Sequence, residues 1–389
     1  MRTVVQATPG AIITLPSLFE GLGASRVVLL SDAGLQAAGI VEQVANTFRS
    51  NSSGLNPTLA GVFTEIAANS ACETVNAALR YAREVGADSI LAVGGGSVLD
   101  AAKGVKYAMH NRISDIREVL LGGIKLESWP QARPIQIPHI AVPTTAGTGA
   151  EVSAAAVFYN EDLGVKCNLV VPYIEADIAV LDANLTLGLP PGLTASTGMD
   201  ALTHALEALA SPAATHFTDS HATTAAQLIE SRLPLVIENG RDVQARHDLL
   251  QASTLAIDAF VNALNAIPVH NCAHAFGALY HIPHGDANSV LLPIVMEVLS
   301  DFYLPHATRL AAALNVETHG VDNETLLANV IASLRNLQEK TGCMTTFARF
   351  EIPAGDLPKI VMAVATDPAG MFYPIPPDKI AQIVEQAIG

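Results

Sequence analysis

Ser89-Ile-Leu-Ala-Val-Gly94-Gly95-Gly96-Ser97 decides how the first half of the chain is read. An uninterrupted apolar run leads into three glycines, and residues 98–109 then follow a helical pattern. Such a run reads as a strand covered on both faces, and the glycines after it as a tight turn into a helix. The same order recurs on either side. Arg26-Val-Val-Leu-Leu-Ser-Asp32 and Leu59-Ala-Gly-Val-Phe63 are strand patterns, residues 74–85 read as a helix, and further strands are expected at 154–159, 168–171 and 178–181. Strand, turn and helix in repetition predict an α/β domain on a mostly parallel sheet.

The glycine turn has a physical use beyond turning. Glycines let the backbone approach a ligand closely, and a helix N-terminus offers free N–H groups and a positive dipole end to a phosphate. The plain alternative is a tight strand–helix connection. The run departs from the G-x-G-x-x-G fingerprint, and Asp32 precedes it by about sixty positions where the standard acid follows by ~20. A second candidate loop, Pro143-Thr144-Thr145-Ala-Gly147-Thr148-Gly149, follows another short apolar strand. Its hydroxyls and backbone donors suit a phosphate or a nicotinamide amide; the alternative is a polar loop capping a sheet edge.

From Pro190 onward the pattern changes to Ala- and Leu-rich helices punctuated by Pro and Gly. The boundary is placed near residue 187, giving an α/β domain over 1–187 and an all-helical domain over 188–389. Helices are expected at 194–210, with Ser196 or Thr197 as cap, at 249–266 and at 289–314. Two pairs in this half share the i, i+4 spacing that puts both members on one helix face: Asp200 with His204, and His270 with His274. A Pro283-His284-Gly285 turn follows. Imidazoles with one carboxylate are what a divalent transition metal asks for. A single histidine in such a helix is ordinarily a core or surface residue with one hydrogen bond, but two spaced pairs and the turn favour a metal site. Cys272, two residues from each neighbouring histidine, reads as packing.

The chain has 389 residues, more than one core usually serves, which agrees with two domains. Half of the residues are hydrophobic and only 15% charged, which suits a large core and an oligomer interface. A net charge of −16 without a run of Lys or Arg argues against nucleic acid and anionic membrane as partners. The four cysteines are scattered, as expected in a reducing cytosol. With no signal-peptide pattern and no long apolar run, a soluble cytoplasmic protein is expected.

These residues together resemble the iron-containing (group III) alcohol dehydrogenase family. The resemblance is carried by Gly94-Gly95-Gly96-Ser97-x-x-Asp100-x-x-Lys103, Pro143-Thr-Thr-Ala-Gly-Thr148, Gly198-Met-Asp200-Ala-Leu-Thr-His204 and His270-x3-His274-x9-His284-Gly285. It implies an NAD(P)-linked oxidoreductase interconverting an alcohol with an aldehyde or ketone, on a dinucleotide-binding α/β domain followed by an all-α metal-binding domain of the dehydroquinate synthase-like type. By that resemblance Asp200, His204, His270 and His284 are the metal ligands. Gly95, Gly96 and Ser97 match the pyrophosphate loop, and Thr144, Thr145 and Thr148 the second cofactor loop. Asp32 matches the acid that accepts from the adenosine ribose, Asp100 a residue at the nicotinamide end, and Asn69 stands where the family has Asn-Pro. His274 falls near the nicotinamide outside the ligand set. Two segments depart from the family: the run-up Phe260-Val-Asn262-Ala-Leu-Asn265-Ala-Ile-Pro268, and Phe372-Tyr373-Pro374-Ile-Pro376-Pro377 in place of Asn-Pro-Arg. Both leave the substrate open.

The chemistry stands without the family name. A hydride leaving an alcohol carbon needs charge on the oxygen stabilised, which a four-liganded metal with an open position supplies as a Lewis acid. A proton must leave as well, and a non-ligating histidine suits that relay; His274 is the candidate, its alternative being to orient a ligand. Fe²⁺ is expected on resemblance with Zn²⁺ second, and NAD before NADP because Asp32 would repel a 2′-phosphate. The partners expected are a small alcohol, aldehyde or ketone and further copies of the chain. Other readings on the same fold are a zinc glycerol dehydrogenase, a dehydroquinate synthase-like lyase, which would need more pocket Lys and Arg, and a non-catalytic assembly protein.

Overall fold

The computed structural model describes residues 2–49, 57–68 and 70–389. They fall into two compact units, one of residues 1–145 and 149–188, the other of 146–148 and 189–389.

In the first unit, strands β1 (Val4–Ala7), β2 (Arg26–Leu30), β3 (Thr58–Phe63), β4 (Ser89–Gly94), β6 (His139–Pro143) and β9 (Ile178–Leu181) form one six-stranded sheet. Their order is β1-β9-β6-β4-β2-β3 and every pairing is parallel. Strands β4, β6 and β9 are buried along their whole length, as the unbroken apolar runs require. The connecting helices are α1 (Leu15–Gly21), α2 (Ala33–Ala37), α3 (Ile40–Arg49), α4 (Cys72–Glu84) and α5 (Gly96–Asn111). The turn from β4 to α5 needs Gly94: a Cβ there would lie 2.5 Å from Val98. The glycines therefore serve a close strand–helix turn whatever else they bind.

A second sheet holds β5 (Ile124–Leu126), β8 (Val165–Val170) and β7 (Ala155–Asn160) in that order, β5 parallel and β7 antiparallel to β8. One face lies on α5, where the absence of a side chain at Gly104 admits the Phe158 ring; a Cβ would stand 2.9 Å from it. Strand β8 begins before the stretch expected at 168–171, and the short β5 had no pattern of its own.

The second unit is helical: α6 (Pro191–Ala210), α7 (His216–Glu238), α8 (Val243–Asn262), α9 (Pro268–Tyr280), α10 (His284–Val298), α11 (Ser300–Tyr303), α12 (Ala307–Ala313), α13 (Asn323–Thr341), α14 (Leu357–Thr366) and α15 (Pro377–Ile388). Several starts are written in local chemistry. Asp242 and Asp322 cap α8 and α13 by accepting from the backbone N–H three residues on, and Thr215 with Thr218 forms a capping box for α7. The expected start at 194 with Ser196 or Thr197 as cap is corrected. Helix α6 begins at Pro191, whose fixed φ and missing N–H suit the first turn, and both hydroxyls bond back to the Leu193 carbonyl. The helix expected over 289–314 is three pieces, broken first at Leu299, where neither Gly nor Pro marks the break. Among the described residues no single helix is long and apolar enough to cross a membrane.

Candidate metal centre

Three helix segments of the second unit bring the centre together. Asp200 lies mid-way along α6, with His204 one turn later and Glu207 after it. His270 is the third residue of α9, which Pro268 starts, and His284 is the first of α10. Asp200, His270 and His284 each offer a ligand atom within 4.8 Å of the others. Asp200 Oδ1 stands 3.6 Å from His284 Nε2 and 4.0 Å from His270 Nε2. His204 stacks on His270 with ring centroids 4.7 Å apart, and its Nδ1 is buried without a hydrogen-bond partner. Phe260 closes the apolar side, 4.8 Å from both of those rings.

The close approach of α6 and α10 depends on Gly285. A Cβ at that position would meet the Ser196 carbonyl oxygen at 2.5 Å. No side chain fits between these backbones, and the helices that carry Asp200 and His284 touch just before the two side chains converge.

Surrounding groups fix the donors. Glu207, fully buried, accepts from the Val269 N–H at 2.7 Å and pairs with His270 Nδ1. That contact engages Nδ1 and leaves Nε2 on the side of Asp200. Burial pushes the Glu207 carboxyl up to about 8 and takes His270 well below the usual histidine range. Burial also acts to raise Asp200, but the imidazoles of His204, His284 and His270, with the Asn288 amide, outweigh it and hold that carboxyl below its ordinary value. Asn288, one turn along α10 from His284, donates to Asp200 Oδ1 at 2.7 Å. The donor set thus suits a divalent cation: one carboxylate oxygen, converging imidazole nitrogens and a buried nitrogen without a protein partner.

His274 sits one turn beyond His270, half-exposed, its ring 5.7 Å from that of His284. Its Nδ1 lies 3.2 Å from Asp367 Oδ1, which also accepts from the Ala369 N–H and so is itself held in place. Cys272 is buried, as packing requires. Glu207, Asn288 and Asp367 are partners that sequence reasoning did not name. The i+3 step from His204 to Glu207 and the i+4 step from His284 to Asn288 were signals in plain view; Asp367 had none.

The cofactor candidates of the first unit lie on three neighbouring strands. Asp32 follows β2, Gly95, Gly96 and Ser97 follow β4, and Thr144 with Thr145 follow β6, all at the C-terminal edge of the parallel sheet. That edge is where open α/β sheets take ligands. Gly95 caps α5, the Thr144 N–H donates to the Gly94 carbonyl at 3.0 Å, and a Cβ on Gly95 would touch Thr145. Asp32 caps α2 with one oxygen on the Leu35 N–H. Thr148 groups with the second unit, where Gly147 lies against Thr197. Asn69 lies outside the described residues, while Ser70 after it donates to the Ser97 carbonyl. Asp100, expected at the nicotinamide end as a catalytic group, has both oxygens engaged, one by Lys103 Nζ at 3.1 Å and one by the Val157 N–H at 3.1 Å. Its visible work is to tie α5 to β7.

Comparison with known proteins agrees over both halves. Residues 3–183 match the family described as iron-containing alcohol dehydrogenase, and residues 194–388 the Fe-containing alcohol dehydrogenase family, C-terminal. Long-chain-alcohol dehydrogenase 1 of Geobacillus thermodenitrificans is 35% identical over 90% of this chain and 85% of its own. NAD-dependent methanol dehydrogenase of Bacillus methanolicus is 29% identical over 97% of this chain and 96% of its own. Among solved structures, the alcohol dehydrogenase from Oenococcus oeni superposes with a TM-score of 0.89 at 29% identity, covering 100% of this chain and 98% of that one.

Proposed function

The chain belongs to the iron-containing alcohol dehydrogenase family, and from that premise we propose which of its residues do the work. It is a metal-dependent, NAD-linked oxidoreductase acting on alcohols, in a family that uses Fe²⁺. Asp200, His204, His270 and His284 hold the divalent metal, the convergence of Asp200, His270 and His284 being the observation that carries this reading. When bound, the metal supplies Lewis-acid stabilisation of charge on the substrate oxygen and the nicotinamide exchanges hydride with the adjoining carbon. Glu207 orients His270, and Asn288 holds Asp200 by its Oδ1.

His274 moves the proton. It is half-exposed, and Asp367 orients the ring through Nδ1, which leaves Nε2 for the exchange. Gly95, Gly96, Ser97, Thr144, Thr145 and Thr148 bind the cofactor with Asn69, and Asp32 accepts from the ribose 2′-OH, selecting NAD over NADP. Asp100, one oxygen on Lys103 and the other on the Val157 N–H, ties α5 to β7.

The two relatives named above act, by their names, on a long-chain alcohol and on methanol. In this chain Leu264, Met371 and Phe372 are exposed apolar side chains, the last two shortly after Asp367. We take the substrate to be an aliphatic primary alcohol or its aldehyde, and the working form to be a cytoplasmic homo-oligomer. The test is a chain-length series of aldehydes with NADH and NADPH, using enzyme stripped by chelator and reloaded with Fe²⁺ or Zn²⁺. Metal-dependent NADH oxidation that rises with chain length is expected; turnover indifferent to metal, or absent across the series, would sink the reading.

A further inference from the structure

Asn288 reaches further into the metal centre than a hold on Asp200 alone would need. It is fully buried on α10, one turn after His284 and on the same helix face. Its Nδ2 lies 2.7 Å from Asp200 Oδ1, 3.2 Å from His284 Nε2 and 3.4 Å from His270 Nε2. Asp200, His270 and His284 are the residues whose ligand atoms converge within 4.8 Å. One amide nitrogen thus stands against every member of the converging set.

Charge fixes which way the amide faces. Asp200 is a carboxylate at neutral pH, which accepts hydrogen bonds and donates none, so nitrogen rather than oxygen must meet it. The consequence falls on the other end of the group: Asn288 Oδ1 is buried without a hydrogen-bond partner. An orphaned buried oxygen costs stability, and here it accompanies two N–H donors aimed inward. They are shared among three atoms, and the distances show it: one short contact to the carboxylate and two longer ones to the rings. An imidazole nitrogen that lacks a proton has a single lone pair. It can take an N–H or a metal, and not both at once.

We propose that Asn288 is a placeholder for the metal: in protein stripped of its ion the amide satisfies the three converging atoms, and loading displaces it from the two imidazoles. The proposal rests on the metal centre assigned above and adds a residue that competes with the ion for its donors. An outer partner that only orients ligands tightens the hold on a metal. A placeholder steadies the stripped fold and loosens that hold.

The test is Asn288→Leu, which keeps the size of the side chain and removes both donors and the orphaned oxygen. Stripped of metal, the variant should unfold at lower urea concentration than stripped wild type, and the two loaded proteins should differ by less. By the cycle that links these states, its affinity for Zn²⁺ in chelator competition should be unchanged or higher. An affinity lowered by ~10–100-fold, as loss of an outer partner gives, overturns the placeholder and leaves the centre standing. Wild type alone supplies a second readout through isotope-labelled asparagine. The Asn288 side-chain amide should exchange slowly in stripped protein, then shift and exchange faster once Zn²⁺ is added. An amide equally protected in both states also overturns the proposal. A wild type that takes up no metal overturns the placeholder and the centre together.

Discussion

Asp100 on α5 and Asp200 on α6 are both carboxylates set into a helix among apolar neighbours, and they differ in what faces them. Around Asp100 the contacts close. Lys103, fully buried, donates to Asp100, to the Ser153 hydroxyl at 3.0 Å and to the Ala155 carbonyl at 2.5 Å, while the Val157 N–H serves the other carboxylate oxygen. Donors and acceptors match within the protein. Around Asp200 a single amide, that of Asn288, donates to Oδ1, and the ring nitrogens of His284 and His270 converge on the same oxygen at 3.6 and 4.0 Å. Imidazoles and a carboxylate gathered in this way suit a cation better than they suit one another. A helical i, i+3 or i, i+4 pair is therefore ambiguous until its further partners are known: a lysine with matched acceptors makes a tie, converging imidazoles make a ligand site.

The largest effect expected is at the acceptor cluster. Asp200→Ala and His270→Ala should each lose metal and turnover together, by more than the ~10–100-fold that removal of an outer partner costs. Metal content measured alongside activity checks this, and near-stoichiometric metal in either variant would erase the distinction between the two aspartates. Next comes His274→Ala, expected to keep its metal and lose turnover on the order of 10²–10⁴-fold, with part of the loss restored by added imidazole. If metal departs in parallel with activity, His274 belongs among the ligands.

The tie around Asp100 should fail differently. Lys103→Met leaves a carboxylate against the core without its cation, which costs about 3–5 kcal/mol of stability, read by urea unfolding, with metal content unchanged in the folded protein. The pH dependence has a definite sign. Burial already raises the Asp100 carboxyl despite the opposing pull of Lys103, and losing Lys103 raises it further. The folded state then holds a proton that the unfolded state releases, so stability falls as pH rises above the ordinary carboxylate range. Acidifying the variant from about pH 7 toward 5 should recover part of its loss; a flat profile would deny the pairing. The smallest effect expected is from Glu207→Gln, which keeps the shape but weakens the hold on His270 and lowers metal affinity by about 10–100-fold. Chelator competition measures it, and unchanged affinity would reduce Glu207 to a packing residue.

What the chain disclosed in advance follows from the range of each interaction. Apolar runs such as 90–93 and 178–181 announce buried strands because one local property decides them. The donor residues on α6, α9 and α10 were visible because spacing within a helix is also local. Helix ends were harder: α6 starts with a proline rather than a hydroxyl cap, and at Leu299 neither Gly nor Pro signals the break. Asp367 was beyond reach, since it meets His274 across 93 positions and only the folded chain brings the two together. The contacts around Asp100 and Lys103 were out of reach for the same reason, Val157 and Ser153 lying fifty or more positions along the chain.

The backbone contact at Gly285 bears on which ion the protein can grip. Because α10 rests against the Ser196 carbonyl there, the span from Asp200 to His284 behaves like a vice whose jaws meet a fixed stop. Bond lengths of zinc to imidazole are about 2.0–2.1 Å, and those of larger oxygen-seeking ions about 2.3–2.6 Å, a difference smaller than the shift one methyl group would impose between the two main chains. With Asp200 and His284 as the proposed ligands, fitting the site to a larger metal would begin by moving that stop rather than by exchanging the two side chains.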